Sequence, residues 1–570
     1  MQEVVVGIDF GSSGTGYAYS FNNKEEIILG NFQDQGVDVK VPTEIILDNN
    51  LNVLAFGEEC KKYIKDNQLI QGELFFQRIK MSLYGNQTNI KPQNQSKEYP
   101  LKDIIAKFLR YVKKEAITKI KENRPTINEN KIKWVVTVPA IWNEKQKGIM
   151  IKASEEAGLF NQCTERLKFF ALEPEAASLY CAQDKSIDPN YIQPGKTFIV
   201  CDLGGGTGDI VTQTKGVKGT ISEKYHAIGG NFGSDEIDKD FFNLIINKIF
   251  GYKSFDSLKN KNEELGFPWQ NDELYDEWIN FQNEISKKKK ITEDSKDKSF
   301  FLNCQMFQDF TDDISIDSLV QKYNENSHSG WKITVKNSTR WLITFPNKIF
   351  YDLIIRQAHK ITEQIREINQ EVKNIESILY VGGYCSNEII VNQIKKQFKN
   401  IVHLKPSHPE IAVVKGAVLF GINPNIIIER KAKYSIGLSI NKTWDETIYG
   451  QIGEKYLDDE GVYRCKNCFD LFIQIGETLP LNHKITHHLK MSGPRYCNLS
   501  FYKSYKKKPI LCTEEGVEKI GEDVLDLKKD YNSSERNIIV IMKFGGTYVE
   551  AECVHEKSGI NTKTNLYFDK

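Results

Sequence analysis

Apolar and polar positions follow two regimes along the 570-residue chain, and the change falls near residue 431. Before it, short apolar runs with strand character alternate with stretches of helical period. Residues 101–122 place Ile104, Ile105, Phe108, Leu109, Val112, Ala116 and Ile120 on one face, which predicts an amphipathic helix. Residues 57–85 read as mostly helical, and 350–368 as one long helix. Residues 133–138 form an apolar run stopped by Pro139. A helix is expected from about Asn143 to Ala157, with Gly158 suited to its C-terminal cap. The stretch 251–345 is polar, with loops inside it, and Glu284 to Lys290 reads as a basic helical turn. Beyond Lys431 helical periods nearly vanish. Short alternating strands are predicted at 434–440, 471–475, 498–502, 537–544, 548–554 and 562–568. The pattern therefore predicts two units: a mixed α/β unit over 1–424 and an all-β unit over 431–570.

Candidate chemistry sits where two apolar runs end in aspartate. After Phe198-Ile-Val-Cys-Asp202, four of the next six residues are glycine: Leu203-Gly204-Gly205-Gly206-Thr207-Gly208, followed by Asp209. The segment reads strand, tight turn, strand. Glycines let backbone N–H groups wrap an anion, and Thr207 adds a hydroxyl donor. The N-terminal run repeats the design as Asp9-Phe-Gly11-Ser12-Ser13-Gly14-Thr15. Asp9 and Asp202, each at a strand end, suit a hydrated magnesium ion. No Gly-Lys-Ser/Thr follows either loop, so neither is a P-loop. One such loop reads equally well as a plain hairpin. Two matching loops imply a duplicated half with phosphates clamped between the copies. Gly229-Gly230 and Gly382-Gly383-Tyr384 supply further glycine turns after strands.

Charge adds little direction. Lys+Arg and Asp+Glu both number 76, so no global field favours nucleic acid or an anionic membrane. Eleven cysteines without a paired framework fit a reducing compartment. There is no apolar stretch of about 18 residues for a membrane span. A chain entering a strand by Val4 leaves no room for a signal peptide, so a cytoplasmic location is expected. Cys465-Lys-Asn-Cys468 reads either as half a zinc site, completed by His483, His487, His488 or Cys497, or as strand-turn cysteines in a reduced protein.

The two Asp–Gly loops, the strand ending Val381-Gly382-Gly383 and the Gly416-Ala417 helix together resemble the ATPase fold shared by actin, sugar kinases and heat-shock chaperones. Val136-Thr-Val-Pro139-Ala with Asn143, Gln146 and Ala157-Gly158-Leu159, then Glu173-Pro174, then Asp202-Leu-Gly-Gly-Gly-Thr207, resemble the seventy-kilodalton heat-shock chaperone family. The likeness spans residues 4–421 and continues more weakly into the β unit, where no helical lid follows; this is similar to the divergent lidless twelfth subfamily.

The resemblance implies duplicated ribonuclease-H-like halves, followed by a sandwich-like module. It implies ATP or ADP with Mg2+ as cofactors, and polypeptide clients or a docking protein on the β module, with co-chaperones. It places Gly11, Ser12, Ser13, Gly14, Thr15, Gly204, Gly205, Gly206, Thr207, Gly229, Gly230, Gly382, Gly383 and Tyr384 around the nucleotide. Glu284, Lys287 and Lys288 would stack on the adenine side, and Asp9, Asp202 and Asp209 would hold the metal. Lys80, with Arg78 as the alternative register, would reach the γ-phosphate, and Glu173 would orient water or the metal shell.

Gly14 stands where the family has tyrosine, Asn231 where it has glutamate, and Lys147 where it has arginine. Asn425-Ile-Ile-Ile428-Glu-Arg-Lys431 replaces the acidic, leucine-rich linker. The expected function is an ATP-binding chaperone-like protein with weak magnesium-dependent hydrolysis. The alternatives are a non-hydrolysing nucleotide-sensing scaffold and a small-molecule kinase of the same superfamily.

Overall fold

The computed structural model describes residues 4–566 apart from 22–23, 25, 33–38, 68, 70–71, 96, 160–168, 252–271, 312–313, 482, 492–494, 528–535 and 545–548. The glycine pair at 545–546 and part of the polar stretch after 251 lie outside the described residues.

Two sheets carry the mixed part of the chain. In the first, Val4–Phe10 pairs antiparallel with Gly14–Phe21 and parallel with Ile132–Val138, which in turn runs parallel to Phe169–Leu172. In the second, Thr197–Leu203 pairs antiparallel with Gly208–Lys215 and parallel with Ile375–Val381, which runs parallel to Val402–Leu404. Ile28–Leu29 continues the first sheet beyond its hairpin, and Ile221–Gly230 continues the second. Strand order and direction correspond position by position. Val4–Phe10 and Ile132–Val138 are buried along their whole length, and Thr197–Leu203 is buried beyond its first residue, as their largely apolar runs require. In each sheet the aspartate falls at the hairpin end, Asp9 opposite Gly16 and Asp202 opposite Asp209.

Two helices join the sheets. Glu173–Cys181 begins at Glu173 itself, so that carboxylate opens the helix rather than preceding it in extended chain. Ala412–Ile422 crosses it closely: a Cβ on Gly416 would stand 1.7 Å from the Ala176 carbonyl oxygen, so only glycine fits there. Val5, Val135, Ala171, Ala176, Val414 and Val418 share the apolar cluster at this crossing.

The expected helices appear as Leu101–Asn123, Glu144–Glu156 and Lys348–Glu371. Asn143 and Gln146 close a capping box, and Gly158 takes φ +73° just past the C-terminus. The segment 57–85 differs from expectation. Helices Glu59–Asn67 and Ile79–Tyr84 flank a strand, Leu74–Gln77, which pairs with Glu44–Leu47. Burial of Leu74, Phe75 and Phe76 in that sheet overrides their helical spacing. The polar stretch also holds a three-stranded sheet of Ser299–Asn303, Leu342–Pro346 and Thr334–Asn337. The basic turn belongs to a longer helix, Asp272–Lys288.

From Ser435 onward two antiparallel sheets enclose one apolar core that includes Ile436, Leu438, Phe472, Phe501, Val540 and Met542. One sheet orders Lys455–Leu457, Tyr463–Ile473, Ser435–Thr443, Tyr496–Ser504 and Val517–Asp526. The other orders His483–Lys490, Asn537–Phe544, Glu550–His555 and Asn561–Asn565. The connecting segment is itself a strand. Ile427–Lys431 runs parallel to Ile221–Gly230, and Thr478–Pro480 pairs with its other side. Arg430 is buried there, with Nε and Nη2 each 2.7 Å from a Glu175 carboxylate oxygen.

Candidate functional site

The turns of the two hairpins face each other across a cavity of about 190 Å³. Asp9, Gly11, Ser12, Ser13, Gly14, Lys80, Glu173, Asp202, Gly204, Gly205, Gly206, Thr207, Asp209, Gly382 and Gly383 line it. The loops interlock. A Cβ on Gly205 would meet Ser13 Oγ at 1.8 Å and Ser13 Cβ at 2.9 Å, so a side chain there would push the two turns apart or displace Ser13. Gly382 holds φ +86° against the Leu203 carbonyl, a conformation that disfavours any side chain.

Four buried carboxylates gather here: Asp9, Glu173, Asp202 and Asp209. Lys80 donates to Glu173 at 2.5 Å, and both are buried. Lys40 donates to Asp9 Oδ2 at 2.6 Å, and Thr137 Oγ1 lies 3.3 Å from the other Asp9 oxygen. Asp209 accepts from the Ile141 backbone N–H at 2.9 Å. Burial, then the charges of Glu173, Asp209 and Asp9, hold the Asp202 carboxyl well above the usual carboxylate range. Burial, against the pull of Lys80, pushes Glu173 up to about 7. Asp209 is raised too, chiefly by burial. Desolvation pulls Lys40 down, but its bond to Asp9 and the charges of Asp9, Asp202 and Glu173 together raise it. Such crowding of carboxylates calls for positive charge; they form no direct ligand cluster, and a hydrated divalent cation held through its waters suits them.

Other expected residues stand elsewhere. Thr15 is fully buried behind the turn and bonds the Thr43 hydroxyl at 2.9 Å. Gly229 and Gly230 pair with Asp209 and Gly208, away from the cavity lining. Gly229 serves close strand approach, since its Cβ would stand 2.1 Å from the Gly208 carbonyl oxygen. Tyr384 is buried in the apolar core beside Cys385. Glu284, Lys287 and Lys288 sit on Asp272–Lys288 outside the lining, with Lys288 over the Phe301 ring at 6.0 Å. Arg78 lies 4.0 Å from Asp238 rather than in the cavity, which leaves Lys80 as the lysine of this register. Cys465 and Cys468 pack with Tyr449 and Leu511, and no metal-holding cluster occurs among the described residues.

Sequence reasoning missed Lys40, Glu410 and Val413, all of which line the cavity. It also missed Lys433, which donates to the Ala140 carbonyl next to the Ile141–Asp209 contact. Lys40 carried one signal: it directly precedes Val41–Pro42, the short strand that pairs with Gly14 and Thr15.

Fold and site are those of a nucleotide-binding, Hsp70-like protein, and the chain is similar to members of the Hsp70 family. The family model described as Hsp70 protein matches residues 64–299. Over 99% of its length the chain is similar to heat shock 70 kDa protein 12A of Mus musculus, at 25% identity and covering 91% of that relative. It is similar over the same shares to heat shock 70 kDa protein 12B of Homo sapiens, at 23% identity. A chaperone protein HscA homolog of Rickettsia typhi is 25% identical over 80% of this chain and 63% of its own. The full-length matches place the chain near the twelfth branch of the family. Among the described residues no helix is long and apolar enough to cross a membrane.

Proposed function

We propose that the protein binds ATP or ADP with magnesium in the cavity between the two hairpins and that nucleotide state biases polypeptide binding by its all-β part. One observation carries this reading: both Asp–Gly turns, five carboxylates and two lysines converge on one cavity. Backbone N–H groups of the glycine turns, with the Ser12, Ser13 and Thr207 hydroxyls, would hold phosphates. Asp9, Asp202 and Asp209 would hold the metal through its waters, and the ion would neutralise phosphate charge. Lys80 and Glu173 hold each other in a buried pair that fixes where the ammonium stands. In this reading the matching sheets are duplicated ribonuclease-H-like halves within residues 1–424. Residues 431–570 form a sandwich-like module for client polypeptides or a docking protein, and the protein acts in the cytoplasm with co-chaperones.

Hydrolysis is expected to be slow. Binding rests on turn backbone, whereas turnover needs metal, lysine and carboxylate placed together. Asn231, in place of a glutamate, removes a charge near the second hairpin. Calorimetry on Asp202→Ala tests the site: magnesium-dependent nucleotide binding should be lost, and unchanged affinity would defeat the assignment. Steady-state turnover of many per second with a sugar or glycerol as acceptor would replace this reading with a kinase.

A further inference from the structure

Lys40 is a cavity residue whose side chain runs beside two glycines of the first hairpin, Gly14 and Gly16. It directly precedes Val41–Pro42, which pairs with Gly14 and Thr15 at the mouth of the first hairpin. A Cβ on Gly14 would lie 3.5 Å from Lys40 Cβ, and a Cβ on Gly16 only 3.0 Å from Lys40 Cγ. The lysine stem therefore lies over a bare strip of the hairpin, and a bulky residue at position 14 or 16 would contend for that strip. The stem's path ends with Nζ 2.6 Å from Asp9 Oδ2, and the side chain is 26% exposed.

The charge count gives this contact its meaning. Asp9, Glu173, Asp202, Asp209 and Glu410 contribute five negative charges when ionised, Lys40 and Lys80 two positive ones, which leaves three negative charges. Without Lys40 that excess would be four, before any phosphate enters. A lysine ammonium has three donors on a flexible stem, and its bond to Asp9 uses one.

We infer that Lys40 is a resident cation of the phosphate cavity: it neutralises Asp9 and offers its ammonium to the phosphates, so nucleotide binding depends only partly on a divalent ion. The inference rests on the nucleotide-binding reading above and deepens it by naming a positioning residue that the Asp–Gly turns do not predict. Lys40 and the glycines at 14 and 16 act as one unit, the bare strip serving the lysine rather than the nucleotide directly.

The test measures ADP and adenosine affinity by calorimetry, in Mg2+ and in EDTA, for the wild type, Lys40→Met and Lys40→Arg. The wild type should keep ADP binding in EDTA within about tenfold of its affinity in Mg2+, the scale of one charge-assisted hydrogen bond. Lys40→Met should lose at least a further roughly tenfold in EDTA and clearly less in Mg2+. Lys40→Arg should restore most of the EDTA binding, and adenosine, which has no phosphate, should bind all three proteins equally. Equal ADP affinity of Lys40→Met and wild type in EDTA would overturn the inference. So would a wild type that binds ADP in Mg2+ and not at all in EDTA, or an equal loss for adenosine. A wild type that binds no nucleotide in either condition defeats the nucleotide reading itself, a separate result. Thermal unfolding checks the fold of each variant, and Lys40→Gln replaces the methionine variant if that one unfolds early.

Discussion

Arg430→Met would test how firmly the connecting strand is anchored. In the folded chain the guanidinium grips Glu175 through two 2.7 Å contacts, and both residues are buried. At an effective dielectric constant of about 20, two unit charges at that distance attract by roughly 6 kcal/mol. Desolvation consumes part of this, and removing one partner of a buried pair typically costs about 3–5 kcal/mol, because the other charge stays behind. Glu175 lies on the helix that starts with Glu173, so the loss falls between the connecting strand and the cavity. The variant should lower the opening free energy of Ile427–Lys431 by about 3 kcal/mol, or roughly a hundredfold faster amide exchange there than in wild type. Hydrogen exchange read by mass spectrometry reports this strand separately from Val4–Phe10. Replacing both residues, Arg430→Met with Glu175→Leu, should recover most of the loss, since an apolar pair of similar volume leaves no buried charge. Exchange in the single variant within a few-fold of wild type would refute the reasoning. So would a double variant that exchanges as fast as the sum of its parts.

Two further outcomes follow from packing and burial. Gly416→Ala should destabilise the mixed unit by more than about 2 kcal/mol, because its Cβ would stand 1.7 Å from the Ala176 carbonyl oxygen; denaturant unfolding measures this, and a neutral effect would refute the crossing. Lys133 is buried, donates to the Gly421 carbonyl, and is pushed down by burial to about 8. The unfolded chain keeps that proton up to about 10.5, so this group's contribution to stability rises between about pH 8 and 10.5 and is lost as pH falls through 8. The gain in melting temperature of Lys133→Met over wild type should therefore be largest at or below pH 8 and narrow toward pH 10, whereas a constant gap would refute it.

The Asp–Gly turns were legible because each packs its pattern into about seven consecutive residues: an apolar run, an aspartate and bare glycines. Lys40 was not, because it reaches Asp9 from 31 residues away and belongs to no local pattern. Thr15 shows the limit of motif carry-over. It lies within the loop sequence, yet the alternation of strand Gly14–Phe21 turns it into the core. Glu284, Lys287 and Lys288 were placed by resemblance alone, and a resemblance of a few residues does not set which side of the cavity a helix approaches. In the all-β part, His483–Lys490 escaped notice because its alternation is polar: lysines, histidines and a threonine occupy most of its positions. Leu74–Gln77 read as helix because three apolar residues in a row fit either period, and only the pairing with Glu44–Leu47 decides.

The strand Ile427–Lys431 also seals an edge. With it in place, the first residues of Ile221–Gly230, Ile221 and Ser222, have a neighbour on both sides, and Thr478–Pro480 covers the connecting strand in turn. A fragment cut at residue 424 would strip off both covering strands at once and leave that end of the strand with unpaired backbone groups, a surface on which another chain can add a strand. The same holds for any motion that frees the all-β part: it bares a sheet edge beside Glu175 and Glu223, two residues that otherwise hold the connecting strand. Separation of the two parts therefore carries a solubility cost, and a fragment meant to stand alone as the nucleotide unit needs residues 427–431 to remain monodisperse.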